Sequence, residues 1–566
     1  MKLTAATRLT DEIIERFRGL VFVFAAVLLI VSACTSGPTA PSSDKPAPLF
    51  DALGDHKHSI TTSSGDAQRY FNQGLTLAFA FNHAEAERSF RQAASLDPQC
   101  AMCWWGVAFV LGPNINATMD AAAVAPAWEA VQRAQALATK TTPREQAYVA
   151  ALAKRYAKDP PADRAPLDAA FANAMRDVSR QYPEDLDASA LFAEALMDQT
   201  PWNFYDNYGK PLHPATTEIV TTLESVLRRD PKHAWAIHLY IHATEASDNP
   251  ARAERYADTL ASLVPGAGHL VHMPAHTYLR IGRYHDAVLA NERATATDNS
   301  YISQHHAHRS YTGIYVPHNP HFLYSAAAME GNSAKALKGA ADTAARVAHQ
   351  NEHDPSTGTS VQHFAAQPLF AFVRFGKWPE ILDTKAPPAG SDYRTGIWHY
   401  SRGRAFIGTG QLDSAEAELV ALQKMAAKDE INSGVVFINT AADVLNVAVD
   451  VLAGEIAAAR GRVADAIAHL ERAAKREDAM HYNEPADWLY PVRHSLGAVL
   501  LTSGQAAKAA MVYREDLRRN PENGWSLYGL MQALNAQGNQ IESAEVKQRF
   551  DKAWAHADIV LTASRI

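Results

Sequence analysis

The chain has 566 residues, a formal net charge of −8, 47% hydrophobic and 20% charged residues, and 24 histidines. That length exceeds one ordinary core and requires several domains or one extended repeat array. The acidity is mild and dispersed, and the absence of any basic stripe argues against nucleic acid as a partner.

At the N-terminus Lys2, Arg8, Arg16 and Arg18 supply a positive lead, diluted by Asp11, Glu12 and Glu15. The apolar run over residues 20–31 is too short for a comfortable membrane span and reads as an export signal. It ends in Val31-Ser32-Ala33-Cys34, which resembles a bacterial lipobox. The resemblance implies cleavage before Cys34, lipidation of that residue and, with Thr35 rather than Asp following, the outer membrane facing the periplasm. An uncleaved anchor or a plain secretory signal is the alternative. Residues 1–33 are thus expected to be a signal, and 34–60 a tether whose start is rich in Pro, Ser and Thr.

Cys100 and Cys103 stand in a C-x-x-C spacing. In an oxidising envelope a local disulfide at a helix start is expected. A redox role lacks a surrounding βαβ pattern, zinc lacks a second ligand pair, and covalent haem lacks a His at position 104.

Alanine-rich composition with scattered Leu, Arg and Glu, and no long Val/Ile/Thr alternation, favours helix. Residues 67–100 carry Tyr70, Gly74, Ala86, Phe90, Ala93 and Pro98. A second set is Gly497, Gly504, Ala509, Tyr513 and Pro521, with Arg493 at the aromatic place. Shorter matches are Gly403/Gly410/Ala415 and Gly454/Gly461/Ala466. In this pattern the chain resembles the tetratricopeptide repeat (TPR) family and is similar to bacterial TPR lipoproteins. That family's unit has an aromatic at position 4, a small residue at 8, a turn near 15, Ala at 20 and Pro at 32. The resemblance implies an all-α, right-handed superhelix of stacked helical hairpins with irregular insertions. Expected segments are 61–230 with degenerate hairpins, 231–390 with central His-rich units, and 391–566 with C-terminal repeats and a cap. Central units are expected to start at Ala234, at Gly268 and, after an insertion over 302–316, near Pro317. A weaker unit turns at Gly376.

Histidines follow the same period. His238/His242 and His272/His276 are i, i+4 pairs, which share a helix face, and 272 − 238 = 34 is the repeat length. In the family, positions 2, 5, 9, 12 and 13 line the concave groove. Carried onto this chain, position 5 is His238, His272 and His321, and position 9 is His242, His276 and Ser325. Position 2 is Trp235, His269 and His318, and position 12 contributes Glu245. Imidazoles gathered on one wall point to a transition-metal site for Zn, Cu or Fe. The expected ligands are His238, His242, His272, His276, His318 and His321, with Glu245 as a ligand or an orienting carboxylate. His269, Trp235, Tyr311 and Tyr315 are expected to line the groove or meet a small-molecule substrate. Pro274 is expected to loosen the His272/His276 clamp if a helix begins near Met273. His305-His306-x-His308 is a weaker candidate. The plainer alternative is a polar groove whose imidazoles bond water and a bound peptide.

No G-x-S-x-G elbow, phosphate loop or H-E-x-x-H helix is present. Three functions remain: a metal-binding envelope lipoprotein with a metalloenzyme active site as one use, a peptide-binding scaffold, and a periplasmic metal carrier or sensor. Position Glu484-Pro485-Ala486-Asp487-Trp488 is expected to order a loop over the groove.

Overall fold

Ser64 opens the first hairpin by accepting the Ala67 amide at 3.1 Å, a cap that satisfies one of the free donors of a new helix. Helices Gly65–Phe79 and His83–Leu96 follow. The structure, a computed structural model, describes residues 47–304 and 309–566. The expected signal, Cys34 and the His305-His306-x-His308 run lie outside the described residues. Among the described residues the fold is all-α, with three isolated bridges and no strand. No described helix is long and apolar enough to cross a membrane.

Close approach explains the small residues of the repeat. A Cβ at Gly74 would lie 2.7 Å from the Phe90 ring, and one at Gly106 would lie 2.4 Å from it. Phe90 is therefore clasped between the first helices of two successive units. Tyr513 repeats the device between Gly497 and Gly529, where added Cβ atoms would approach to 2.4 and 2.2 Å. Each hairpin thus buries its apolar face only against its neighbour, as solenoids do. The turn glycines Gly282, Gly331, Gly376, Gly410, Gly461 and Gly504 all hold positive φ. Cys100 and Cys103 are disulfide-bonded, and Cys100 caps the helix Ala101–Val110.

The poorly matching stretch from 114 to 208 still forms helices, among them Pro143–Leu152, Ala165–Gln181 and Leu186–Met197, which continue the stack. Two central expectations need correction. The unit placed near Pro317 is carried by one helix, Arg309–Met329, with Pro317 and Pro320 inside it. Each proline removes one amide donor, yet the helix begins eight residues earlier than proline placement suggested. In the preceding unit the helix does break, into Gly268–His272 and Pro274–Ile281. Met273 between them keeps helical angles (φ −49, ψ −36), so both halves stay in register.

The solenoid closes on itself. Helix Gly65–Phe79 packs against helix Ala234–Glu245, where Phe79 stacks on Trp235 at 4.3 Å. From the other end, the Trp525 indole donates to the Ala328 carbonyl at 2.8 Å and Arg280 reaches the Arg519 carbonyl. The His-bearing units are covered from both sides.

Candidate metal centre

Helix Ala234–Glu245 places His238 and His242 on one face, and both are buried. The His238 Nδ1–H donates to the Phe79 carbonyl at 2.6 Å, which leaves its Nε2 lone pair pointing inward. His242 Nδ1 donates to Glu245 Oε1 at 2.9 Å, and its buried Nε2 has no partner. His269, at the start of the next unit, brings its Nε2 to 3.1 Å from that of His238. One donor atom from each of these three rings falls within a 4.8 Å span.

The arrangement recurs one unit later. His272 Nδ1 donates to Asn291 Oδ1 at 2.7 Å, and Asn291 is fixed by its own bond to the Ala287 carbonyl. His276 Nδ1 donates to Glu245 Oε2 at 2.5 Å and lies 3.0 Å from Glu484 Oε2. The Nε2 atoms of His272 and His276 are 2.9 Å apart. The break at Met273 therefore does not loosen the clamp. His318 completes a second set within 4.8 Å. Glu245 sits behind the rings, one oxygen on each set, which is how carboxylates orient metal-bound imidazoles.

Burial, then repulsion between adjacent rings, holds His238, His269, His272 and His318 well below the ordinary imidazole range. They are neutral, as ligation requires. His276 is the exception: burial works to lower it, but the Glu245 and Glu484 carboxylates outweigh that and raise it. Two nitrogens bound to one ion at about 2.0–2.1 Å are separated by about 2.9 Å at a right angle and about 3.3 Å at a tetrahedral one. The two Nε2 pairs match that range.

Aromatic rings wall the chamber. Phe81 packs on His238 at 4.5 Å and on His269 at 5.4 Å, and Phe322 packs on His272, His276 and His318 at 4.5–4.8 Å. Trp202 meets His242 edge-on at 5.1 Å, so the 201–205 loop serves the site. Phe81 and Trp202 both sit at positive φ, 54° and 61°. Such conformations cost on the order of 1–3 kcal/mol for a side-chain-bearing residue and concentrate at functional sites. Tyr315 stands at the edge, 4.9 Å from His269, its hydroxyl accepting from Asn116.

Several expected site residues lie elsewhere. His321 does not join either set: it meets His363 at 5.6 Å, on the helix of the following unit. Trp235 is a packing residue on Phe79. Tyr311 stands one ring behind Tyr315, its hydroxyl donating to buried Asp298. His269, expected in the groove, joins the imidazole donors instead. Glu484, the Phe79 carbonyl, Asn291 and Phe81 carry no periodic signal that sequence reasoning could use. Glu484 also lines a cavity of about 590 Å³ with Arg280, Tyr482, Arg493 and Asp478, and so divides that cavity from His276.

This is a helical-repeat protein with a cluster of imidazoles buried between successive units. A tetratricopeptide-repeat family model matches residues 67–100, the segment that holds the helices Gly65–Phe79 and His83–Leu96. No curated protein matches its sequence. Among solved structures it is similar to a human IFIT1 dimer with m7Gppp-AAAA, at 14% identity over 87% of this chain and 91% of that one (TM-score 0.32). It is also similar to the APC/C hetero-tetramer Cut9-Hcn1, at 10% identity over 86% and 76% (TM-score 0.29). Likeness at that level carries nothing about ligands or partners. Repeat scaffolds of this type present extended surface for protein–protein contact.

Proposed function

We propose that this protein binds a transition metal in the imidazole chamber and is held at the bacterial envelope by lipidated Cys34. The observation that carries the metal reading is the disposition of the ring nitrogens. The Nδ1 atoms of His238, His242, His272 and His276 are committed to acceptors outside the chamber, so their Nε2 atoms face inward. The unpartnered Nε2 of His242 is costly to bury and is satisfied by a cation. An all-nitrogen set suits Zn, Cu or Fe. Three imidazoles leave a coordination position open, as catalytic sites do, and the cavity beyond Glu484 offers a small molecule a place to approach. The envelope assignment is supported by the Val31-Ser32-Ala33-Cys34 sequence. A peptide has no room where the five clustered imidazoles from His238 to His276 are at most 3% exposed. Protein partners would use other faces of the solenoid.

Elemental analysis of the full chain, purified in detergent without chelator, is expected to find Zn, Cu or Fe at or above one ion per chain. Addition of the retained metal to chelator-treated protein is expected to raise stability by about 2.7 kcal/mol at a free concentration of 100 Kd. Protein that neither carries metal nor responds to any of the three ions would overturn the proposal.

A further inference from the structure

The imidazoles divide by a rule that the repeat itself generates. Positions 5 and 9 of one unit combine with position 2 of the next. Counted back from Pro265 at position 32 for the first unit, and from the turn glycines Gly282 and Gly331 for the next two, the rule yields His238, His242 and His269, then His272, His276 and His318. We propose that the chamber holds two transition-metal ions, one in each of these triads, an inference that rests on the metal reading above.

Four observations separate two ions from one. First, the imidazole donors fall into two sets of three within 4.8 Å rather than one set of six, and the group that joins them, His242, Glu245 and His276, meets through the carboxylate, whereas the ligands of a single ion lie within about 4.2 Å of one another. Second, each triad has its own anchors: the Phe79 carbonyl and Glu245 Oε1 for the first, Asn291 and Glu245 Oε2 for the second. Third, each has its own aromatic wall, Phe81 for one and Phe322 for the other. Fourth, two carboxylates, Glu245 and Glu484, stand against the rings as counter-charge for cations brought into a buried space. Glu245 touches both triads, so it fixes their mutual placement.

The rule also accounts for why there are two sites and not three. Applied once more, it gives His321, Ser325 and His363. His321 and His363 do meet, and neither the His321 ring nitrogens nor His363 Nε2 has a partner. Ser325 stands where the third imidazole is needed, and a hydroxyl is a poor substitute for it. In the two complete triads, three nitrogens leave each ion an open position within the same aromatic-walled chamber. That arrangement suits a small ligand held between the ions.

The test is a cobalt(II) titration of the chelator-treated full chain in detergent, with bound metal counted after removal of free ion. Two ions per chain are expected, falling to one in His269→Ala and to one in His318→Ala, with none in the double variant. One ion in the wild type, or a count of two that neither substitution lowers, would overturn the two-ion proposal and leave the metal reading standing. No bound ion would overturn both. Should either variant fail to fold, copper(II) electron paramagnetic resonance of the wild type decides. A magnetically coupled pair supports the proposal, and two isolated copper signals contradict it.

Discussion

Glu245→Ala is expected to weaken metal binding about 10–100-fold at each triad, since orienting carboxylates are worth that much to the imidazoles they hold. One oxygen fixes His242 and the other His276, so a single substitution reaches both sets. It also removes the main counter-charge beside His276. Breaking a buried pair from one side costs about 3–5 kcal/mol. The loss should fall toward the lower end, because Glu484 remains 3.0 Å from the same nitrogen. Glu245→Gln separates the two effects. Its amide oxygen can accept from only one ring, and its NH2 forces the other to carry its proton on Nε2, which cancels that ring as a ligand. Metal affinity from competition with a chromophoric chelator, measured with urea denaturation, checks both. Unchanged affinity in Glu245→Ala would mean the carboxylate does not orient ligands.

Asp187→Ala should cost about 3–5 kcal/mol for the same reason, at a site the repeat pattern did not reveal. His58 Nδ1 donates to Asp187 Oδ2 at 2.6 Å, His56 lies 3.3 Å from that oxygen, and His233 Nε2 is 3.1 Å from the other. His233 accepts the Ala236 amide through Nδ1 as the helix cap, so its proton faces Asp187. The clasp ties the segment before the first repeat to the start of the helix that carries His238. Burial opposes the Asp187 charge, but hydrogen bonds from His233, His56 and His58 outweigh it and hold its carboxyl well below the usual range. Burial likewise opposes the His56 charge, and Asp187 raises it. The carboxylate's contribution is present above its unfolded value, about 3.9, and fades as pH falls toward the depressed one. The His56 contribution is complete below about 6.5 and is lost as pH rises through the raised value. The clasp is therefore strongest between about pH 4 and 6.5. Denaturation at pH 5.5 and 8.5 should show part of the wild-type stability lost at the higher pH and that part absent in Asp187→Ala. Equal pH dependence of the two proteins would remove the clasp from the energetics.

The 34-residue offset was enough to place His238, His242, His272 and His276 together, because the i, i+4 spacing and the repeat both act through local helix geometry. The third member of each set was harder to read. Positions 2, 5 and 9 fall within about 60° of one helix face, too narrow for the repeat pattern alone to tell which neighbouring unit each ring meets. That His269 joins His238, and that His321 meets His363, is set by how the units stack. Asp187 and Phe81 were not legible at all, and of Glu484 only its place in a loop over the groove was. They reach their partners through closure of the superhelix, across separations that leave no mark in the sequence. The turn glycines were legible because their conformation is set locally, whereas the helix through Pro317 is held by its neighbours despite its prolines.

X-ray absorption at the edge of the metal retained by the purified full chain tests the central claim most directly. A first shell made of nitrogen at about 2.0–2.1 Å, with the outer-shell scattering of imidazole rings, is the predicted result. A shell dominated by sulfur, or by oxygen without imidazole scattering, would place the metal elsewhere and contradict it.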